Sequence, residues 1–281
     1  MADFSPAALS PTVAALTYYP VKGCAGISVE RARITDTGLT HDRSFMLAKP
    51  GGAFLSQRLV PAMATVVPSI TEDGAVLTVT APEAEDAKLD VRFDGDRRPV
   101  SMHGTWSGVG VDQGDEIADW FATVLGQECR LLRVPPDHDR DSPGEYVGKA
   151  GFSDAHPLLI LSLSSLDSLN ERILARGAEP VPMNRFRPNL VIAGWPQPHT
   201  EDRMRRMSAG PVEIGYASEC PRCTVPMVEQ ATGRRDGPEP IRSLADYRRR
   251  DRGVTFGANA AVLRTGEVAV GDPVLVHDWA A

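Results

Sequence analysis

The stretch "AAVLRTGEVAVGDPVLVH", residues 260–277, decides the class of fold. Three short runs of apolar and β-branched residues are separated by "RTG" and "GD". These are turn signals, and runs of this kind read as strands. Working backward, "NLVIAG" (189–194), "VEIGYAS" (212–218) and "TVPMVE" (224–229) have the same character. Many short strands at this spacing predict a barrel or sandwich. "PLLILSL" (157–163) predicts a buried strand, followed by a helix carrying Leu166, Leu169 and Ile173. Ser164 or Ser165 is expected to cap that helix and Gly177 to close it.

The first part of the chain is also strand-rich. "SFMLAK" and "AFLSQ", separated by "PGG", predict a hairpin, and "AVLTVT" a further strand. The period changes once, between Asp115 and Leu125. Ile117, Trp120, Phe121, Val124 and Leu125 fall on one helical face, with acids at its start and Gly126 after it. That stripe predicts core packing. "RVPPDHDRDSPGEYVGKAGFSD" has lost all periodicity and reads as a long loop or domain boundary. The expectation is an α+β protein, mainly β. A smaller N-terminal β-rich domain (1–128) precedes a barrel-centred domain (129–281).

The 281 residues carry a net charge of −7, which argues against a general nucleic-acid binder. No apolar run reaches the ~20 residues of a membrane span, and the start of the chain lacks the basic region of a secretory signal. Four cysteines are too few for a disulfide scaffold. A cytoplasmic protein is expected.

Two of those cysteines stand close together in "SECPRCTVPMVE", residues 218–229. A zinc site wants four ligands, but Cys24 and Cys129 are isolated and no histidine pair matches. A dithiol redox site wants the pair at a helix N-terminus, but Thr224, Val225 and Pro226 oppose a helix here. A single reactive thiolate, helped by Arg222 between the two thiols, and a pair of inert buried cysteines both remain open. Basic residues elsewhere look placed for an anion. Lys22 stands beside Gly23 in a turn-like stretch, Arg43 just before a strand, and Arg187 before Pro188 and Asn189. Together with a thiolate they suggest a pocket for a phosphorylated, sulfur-bearing ligand.

The segments "YPVKGCAG", "GLTHDRSFML", "FSDAHPLLILSLSSLDSLNERI", "NRFRPNLVIAG", "ECPRCTVPMVEQATG" and "VGDPV" occur in this order. The chain thereby resembles MOSC-domain proteins that carry an N-terminal MOSC β-barrel domain, the group of the amidoxime-reducing components. The resemblance implies a MOSC-type barrel core and a molybdenum cofactor, bound as a pterin dithiolene. It implies that Cys223 ligates the metal, a soft thiolate beside dithiolene sulfurs. Pro221 stands where relatives often have serine, so a hydroxyl contact is lost there. By the same resemblance Lys22, Gly23 and Arg43 would contact the pterin and its phosphate, and Arg187 and Asn189 would bracket it. Ser153 and Asp154 would lie near the metal, Asp154 either catalytic or a loop-capping carboxylate. His41 and His156 are expected to be packing or hydrogen-bonding residues.

The implied activity is reduction of N-hydroxylated small molecules, amidoximes and hydroxylamines, by oxygen removal at molybdenum. Two other functions compete. One is a sulfur carrier with a persulfide on Cys223; the other is a cofactor-binding protein without turnover. No iron–sulfur or flavin motif is evident, so electrons are expected from a separate ferredoxin, flavodoxin or cytochrome. The arginines of "RMRR" (203–206), "GRR" (233–235) and "RRRDR" (248–252) are candidates for docking that donor, against the alternative of solvated surface.

Overall fold

The computed structural model describes residues 10–104, 106–251 and 253–281. It is mainly strand, with three helices: α1 (Asp115–Leu125), α2 (Leu163–Leu174) and α3 (Ile241–Tyr247).

The largest sheet runs in the order Val274–Trp279, Met204–Ala209, Val212–Pro221, Gly253–Arg264, Leu158–Ser162, Leu190–Ala193, Thr12–Tyr18, Ile27–Val29. Its two ends approach each other. Val13 N–H donates to Asp272 O, and a bridge joins Thr12 to Pro273, but among the described residues no continuous ladder closes it into a barrel. The inner face packs Leu16, Ile160, Ile192, Met207, Ile214 and Val274. The other face is covered by α2 and α3, through Leu169, Ile173 and Leu244 against Phe186 and Phe256. The central strand Gly253–Arg264 is therefore buried along most of its length, as a sheet covered on both faces requires. Gly257 is needed there. Its φ is +85°, and a Cβ would lie 2.9 Å from Ile160 O.

The second sheet runs Arg97–Met102, Trp106–Asp112, Arg130–Arg133, Phe45–Ala48, Val21–Lys22. Helix α1 lays Ile117 and Phe121 on the core of this sheet, with Leu47, Leu77 and Leu131. Its C-cap, Gly126, is left-handed.

Sheet membership crosses residue 128 in both directions. Thr12–Tyr18 and Ile27–Val29 belong to the large sheet, and Arg130–Arg133 belongs to the second.

Three local expectations are corrected. Ser162, not Ser164 or Ser165, caps α2, its hydroxyl accepting from Ser165 N–H at 3.2 Å. The 44–57 hairpin shrinks to a bridge between Ala48 and Phe54, because the chain then leaves the sheet. Residues 224–229 form a 3₁₀ turn, Val225–Met227, and only two strand residues, since Pro226 removes a ladder donor. The turn expected at "GD" is present, Asp272 N–H donating to Ala269 O at 3.1 Å, and Gly266–Ala269 between the two turn signals pairs with Arg31–Thr35.

Candidate functional site

Five chain segments end at one place. Lys22 closes the short strand Val21–Lys22, and Arg43 precedes Phe45–Ala48. Residues 151–156 lead into Leu158–Ser162, residues 187–189 lead into Leu190–Ala193, and 222–223 follow Val212–Pro221. Rigid strands thus hold loop residues against one another, the common way of building a site. Between them lies a cleft of about 200 Å³. Every site residue proposed from sequence lines it: Lys22, Gly23, Arg43, Ser153, Asp154, Arg187, Asn189, Arg222 and Cys223.

The cleft is electropositive. Lys22, Arg43, Arg58, Arg187 and Arg222 line it, and Asp154 is the single carboxylate among the lining residues. In a chain of net charge −7 such a concentration of cations focuses an attractive field on anions.

Each cation is held. The guanidinium groups of Arg43 and Arg187 lie 4.2 and 4.1 Å from the Tyr19 ring centroid. The Tyr19 hydroxyl donates to Pro188 O at 3.2 Å. Arg43 also donates to Asp42 at 2.6 Å and to Asn189 Oδ1 at 3.1 Å. Arg187, left-handed at φ 57°, donates to Gln230 at 3.2 Å. Burial pushes its pKa down to about 10, which leaves it charged at neutral pH. Asn189 donates to Thr17 O at 3.1 Å and accepts from Leu159 N–H at 3.1 Å, so it joins the first strand to the central sheet.

Lys22 donates to Phe152 O at 2.8 Å and pairs with Asp154. Burial lowers its pKa and the Asp154 charge opposes that. Gly23 has φ +86°, and a Cβ would lie 2.7 Å from Met63 Cε, so no side chain intrudes on that wall. The loop at 151–154 is clamped from behind by Arg140, which donates to Gly151 O, Ser153 O and Asp154 O. Desolvation opposes the charge on Asp154, yet Lys22 and His103 together hold its carboxyl well below the usual carboxylate range. The Ser153 hydroxyl is buried without a hydrogen-bond partner.

All four cysteines are free thiols. Cys24 and Cys129 are buried in the second sheet's core, and burial pushes their pKa values up to about 12 and about 11. They are unreactive there. Arg222 points at Cys220, donating to its sulfur at 3.1 Å and to Phe186 O at 2.8 Å. Cys223 is exposed and accepts Val225 N–H at 3.4 Å. Among the described residues no cluster of three or more His, Cys, Asp or Glu side chains could hold a metal ion by itself.

Other expectations fare differently. His41 hydrogen-bonds Glu72 O at 2.9 Å, away from the cleft. His156 lines the cleft and contacts Ser142 Oγ at 2.7 Å, and burial pushes its pKa down to about 4. Among the described residues, four of the eight cluster arginines are ion-paired, Arg250 with Glu219 being one. Arg248 is buried against Asp202 at 2.5 Å, so it is not a docking surface. Arg205 pairs with Glu145 and Arg206 with Asp278. Arg234, Arg235, Arg249 and Arg250 are exposed, and Arg252 lies outside the described residues. Among the described residues no helix is long and apolar enough to cross a membrane.

Sequence reasoning missed His103 and Arg58, which line the cleft and touch each other at 2.8 Å. Neither sits in a recognisable motif. Only the isolated histidine in "MHG" could have drawn attention to that loop.

Comparison with known proteins gives this geometry its context. The MOSC N-terminal beta barrel domain family matches residues 10–128, and the MOSC domain family matches residues 147–275. The mitochondrial amidoxime-reducing component 1 of Mus musculus is 32% identical over 285 residues, covering 94% of this chain and 81% of the mouse protein. Its Homo sapiens counterpart is 31% identical, covering 94% of this chain and 82% of the human protein. The molybdenum cofactor sulfurase of Arabidopsis thaliana is 31% identical over 262 residues, but this chain spans only 32% of that longer protein. The chain belongs to the MOSC-domain family, in the arrangement with an N-terminal MOSC β-barrel domain that it shares with the mitochondrial amidoxime-reducing components.

Proposed function

We propose that this protein is a molybdenum-cofactor-dependent reductase of N-hydroxylated small molecules. The observation that carries the reading is one cleft in which five cationic side chains, an exposed Cys223 thiol and the unpartnered Ser153 hydroxyl converge. Those residues fit an anionic, sulfur-rich metal cofactor. A thiolate is a soft ligand, Arg forks and a Lys point charge suit a phosphate, and a buried hydroxyl without a partner calls for a polar atom from a ligand.

Cys223 would hold the metal, while Lys22, Gly23, Arg43, Arg187, Asn189 and Arg222 would hold the pterin and its phosphate. When bound, the group supplies two-electron reduction and acceptance of the substrate oxygen. Arg43 and Arg187 keep their direction toward the cleft by stacking on Tyr19. Phe54 and Phe186 add apolar wall and limit water. Lys22 and His103 keep Asp154 ionised, so Asp154 acts at neutral pH as an acceptor and not as a proton source. Electrons would come from a separate donor protein.

The test is elemental analysis of protein made in a cofactor-competent host, followed by turnover of benzamidoxime with reduced viologen. Molybdenum near one per chain with amidine formation is the expected result. Molybdenum without turnover favours a binding protein. Absence of molybdenum, with sulfane sulfur on Cys223, favours the sulfur carrier.

A further inference from the structure

Asp154 has two unlike carboxylate oxygens. Oδ1 receives both Lys22 Nζ and His103 Nε2, the latter at 2.9 Å. Oδ2 has no hydrogen-bond partner among the described residues, and the side chain stays 62% exposed on the cleft wall.

The histidine is itself oriented. Arg58 Nη2 lies 2.8 Å from His103 Nδ1. A guanidinium can only donate, so Nδ1 accepts and the ring proton stands on Nε2, facing Asp154. Phe54 packs edge-on to the imidazole at 4.6 Å. Arg58 is fixed in turn, because its carbonyl accepts from Arg235 at 2.8 Å. A chain of donors, Arg58 to His103 to Asp154, therefore presents a carboxylate with one saturated oxygen and one free oxygen.

A free, ionised oxygen beside five cationic side chains is a place in the cleft that rewards a ligand carrying N–H donors. Amidoximes and hydroxyguanidines carry an amino group on the carbon that bears the N–OH. We infer that Asp154 is the specificity-determining residue of this cleft, its free oxygen receiving the amino N–H of the substrate, and that Arg58 and His103 are positioning residues that aim it. The inference rests on the reductase reading for its substrate. It adds which atom selects among N-hydroxylated compounds.

The test compares benzamidoxime with N,N-dimethylbenzamidoxime, which keeps the N–OH group and lacks the amino N–H. The molybdenum-loaded protein is assayed with reduced viologen. Wild type is expected to show a KM about ten- to a hundredfold lower for benzamidoxime, the range of a charge-assisted hydrogen bond. Asp154→Asn should erase that difference, bringing the ratio of the two KM values close to one. His103→Ala should raise KM for benzamidoxime alone, with kcat little changed. His103→Gln, which retains a donor near that position, should restore most of it. Calorimetric binding of the product benzamidine gives a second readout that needs no turnover, and Asp154→Asn should weaken it at least tenfold. A preference for benzamidoxime that survives in Asp154→Asn overturns the inference while leaving the reductase reading intact. If wild type turns over neither compound, the reductase reading fails, and benzamidine binding alone decides the role of Asp154. Equal benzamidine affinity in wild type and Asp154→Asn, or no binding to wild type, overturns it.

Discussion

Arg222 separates two thiols that lie three residues apart. It ties the Cys220 sulfur to the wall formed by Phe186 and leaves Cys223 exposed, accepting from the Val225 amide. A sulfur already engaged by a guanidinium is poorly placed to ligate a metal, and an exposed one beside a cationic cleft is well placed. Cys223→Ser is therefore expected to lose molybdenum, and Cys220→Ser to keep most of it, as measured by metal content per chain. Equal loss in both would restore a dithiol site. Arg187 offers a second test. It is buried, yet its guanidinium is spent on Tyr19 and Gln230 without a carboxylate partner. Arg187→Ala should lower molybdenum and pterin occupancy together under limiting cofactor, by about tenfold or more in affinity. Full occupancy would place the anion elsewhere. These residues were legible because they stand in short motifs beside Gly, Pro or Cys. His103 and Arg58 were not, because their meaning lies in a contact across 45 residues that no local pattern announces.

Elements were legible where one periodicity ruled, and not where tertiary contacts competed. The stripe from Ile117 to Leu125 spans most of α1, and the acids at 115 and 116 mark its start. The segment after "PGG" looked like the second arm of a hairpin. It leaves the sheet because Gln57 is drawn to Gly23 O at 2.6 Å and to Gln230, which shapes the cleft instead. The start of α2 shows how the same competition moves a cap. Ser162 is the last strand residue, yet its hydroxyl accepts from Ser165 N–H and donates to the fully buried Glu201 at 2.9 Å. One hydroxyl thus caps a helix and satisfies a buried carboxylate. Ser162→Ala should cost about 2–3 kcal/mol in urea unfolding, more than a cap alone, because a fully buried acceptor also loses its donor. Ser164→Ala, beside it and not the cap, should cost under about 0.5 kcal/mol. Equal costs would mean that the capping assignment is wrong.

At the scale of the molecule, charge and burial are distributed unevenly, and neither could be read from totals. A net charge of −7 conceals a cationic cleft, and six histidines conceal two that burial keeps neutral. Strands that cross residue 128 escaped the sequence because pairing partners lie far apart in the chain, as Leu16 and Leu190 do. The buried histidines make a prediction about the whole fold. Burial pushes His156 and His199 down to about 4 from 6.5, with nearby arginines adding to the effect. Both ring nitrogens of His199 are buried without a partner. The unfolded chain therefore binds these two protons from pH 6.5 downward, while the folded chain resists until about 4. Their stabilising contribution is complete above pH 6.5 and is lost as pH falls toward 4, by at most about 3 kcal/mol each. Asp202 works the other way. Burial raises its carboxyl to about 6 despite Arg248, so the folded state binds its proton first, and its contribution falls as pH rises from about 4 to 6. Two protons favour unfolding on acidification, while Asp202 and the buried Asp42, whose carboxyl burial also raises, oppose it, so the two histidines and the two carboxylates pull stability in opposite directions as pH falls. His199 packs its ring against Tyr247 and Phe256, so His199→Phe keeps an aromatic ring there and removes one titration. Whatever it does to absolute stability, it should remove about one proton of acid destabilisation from the urea-unfolding free energy across that window. Asp202→Asn should change the slope by about one proton in the opposite sense, toward greater acid sensitivity. A slope unchanged in both variants would mean that other groups govern the acid sensitivity of the fold.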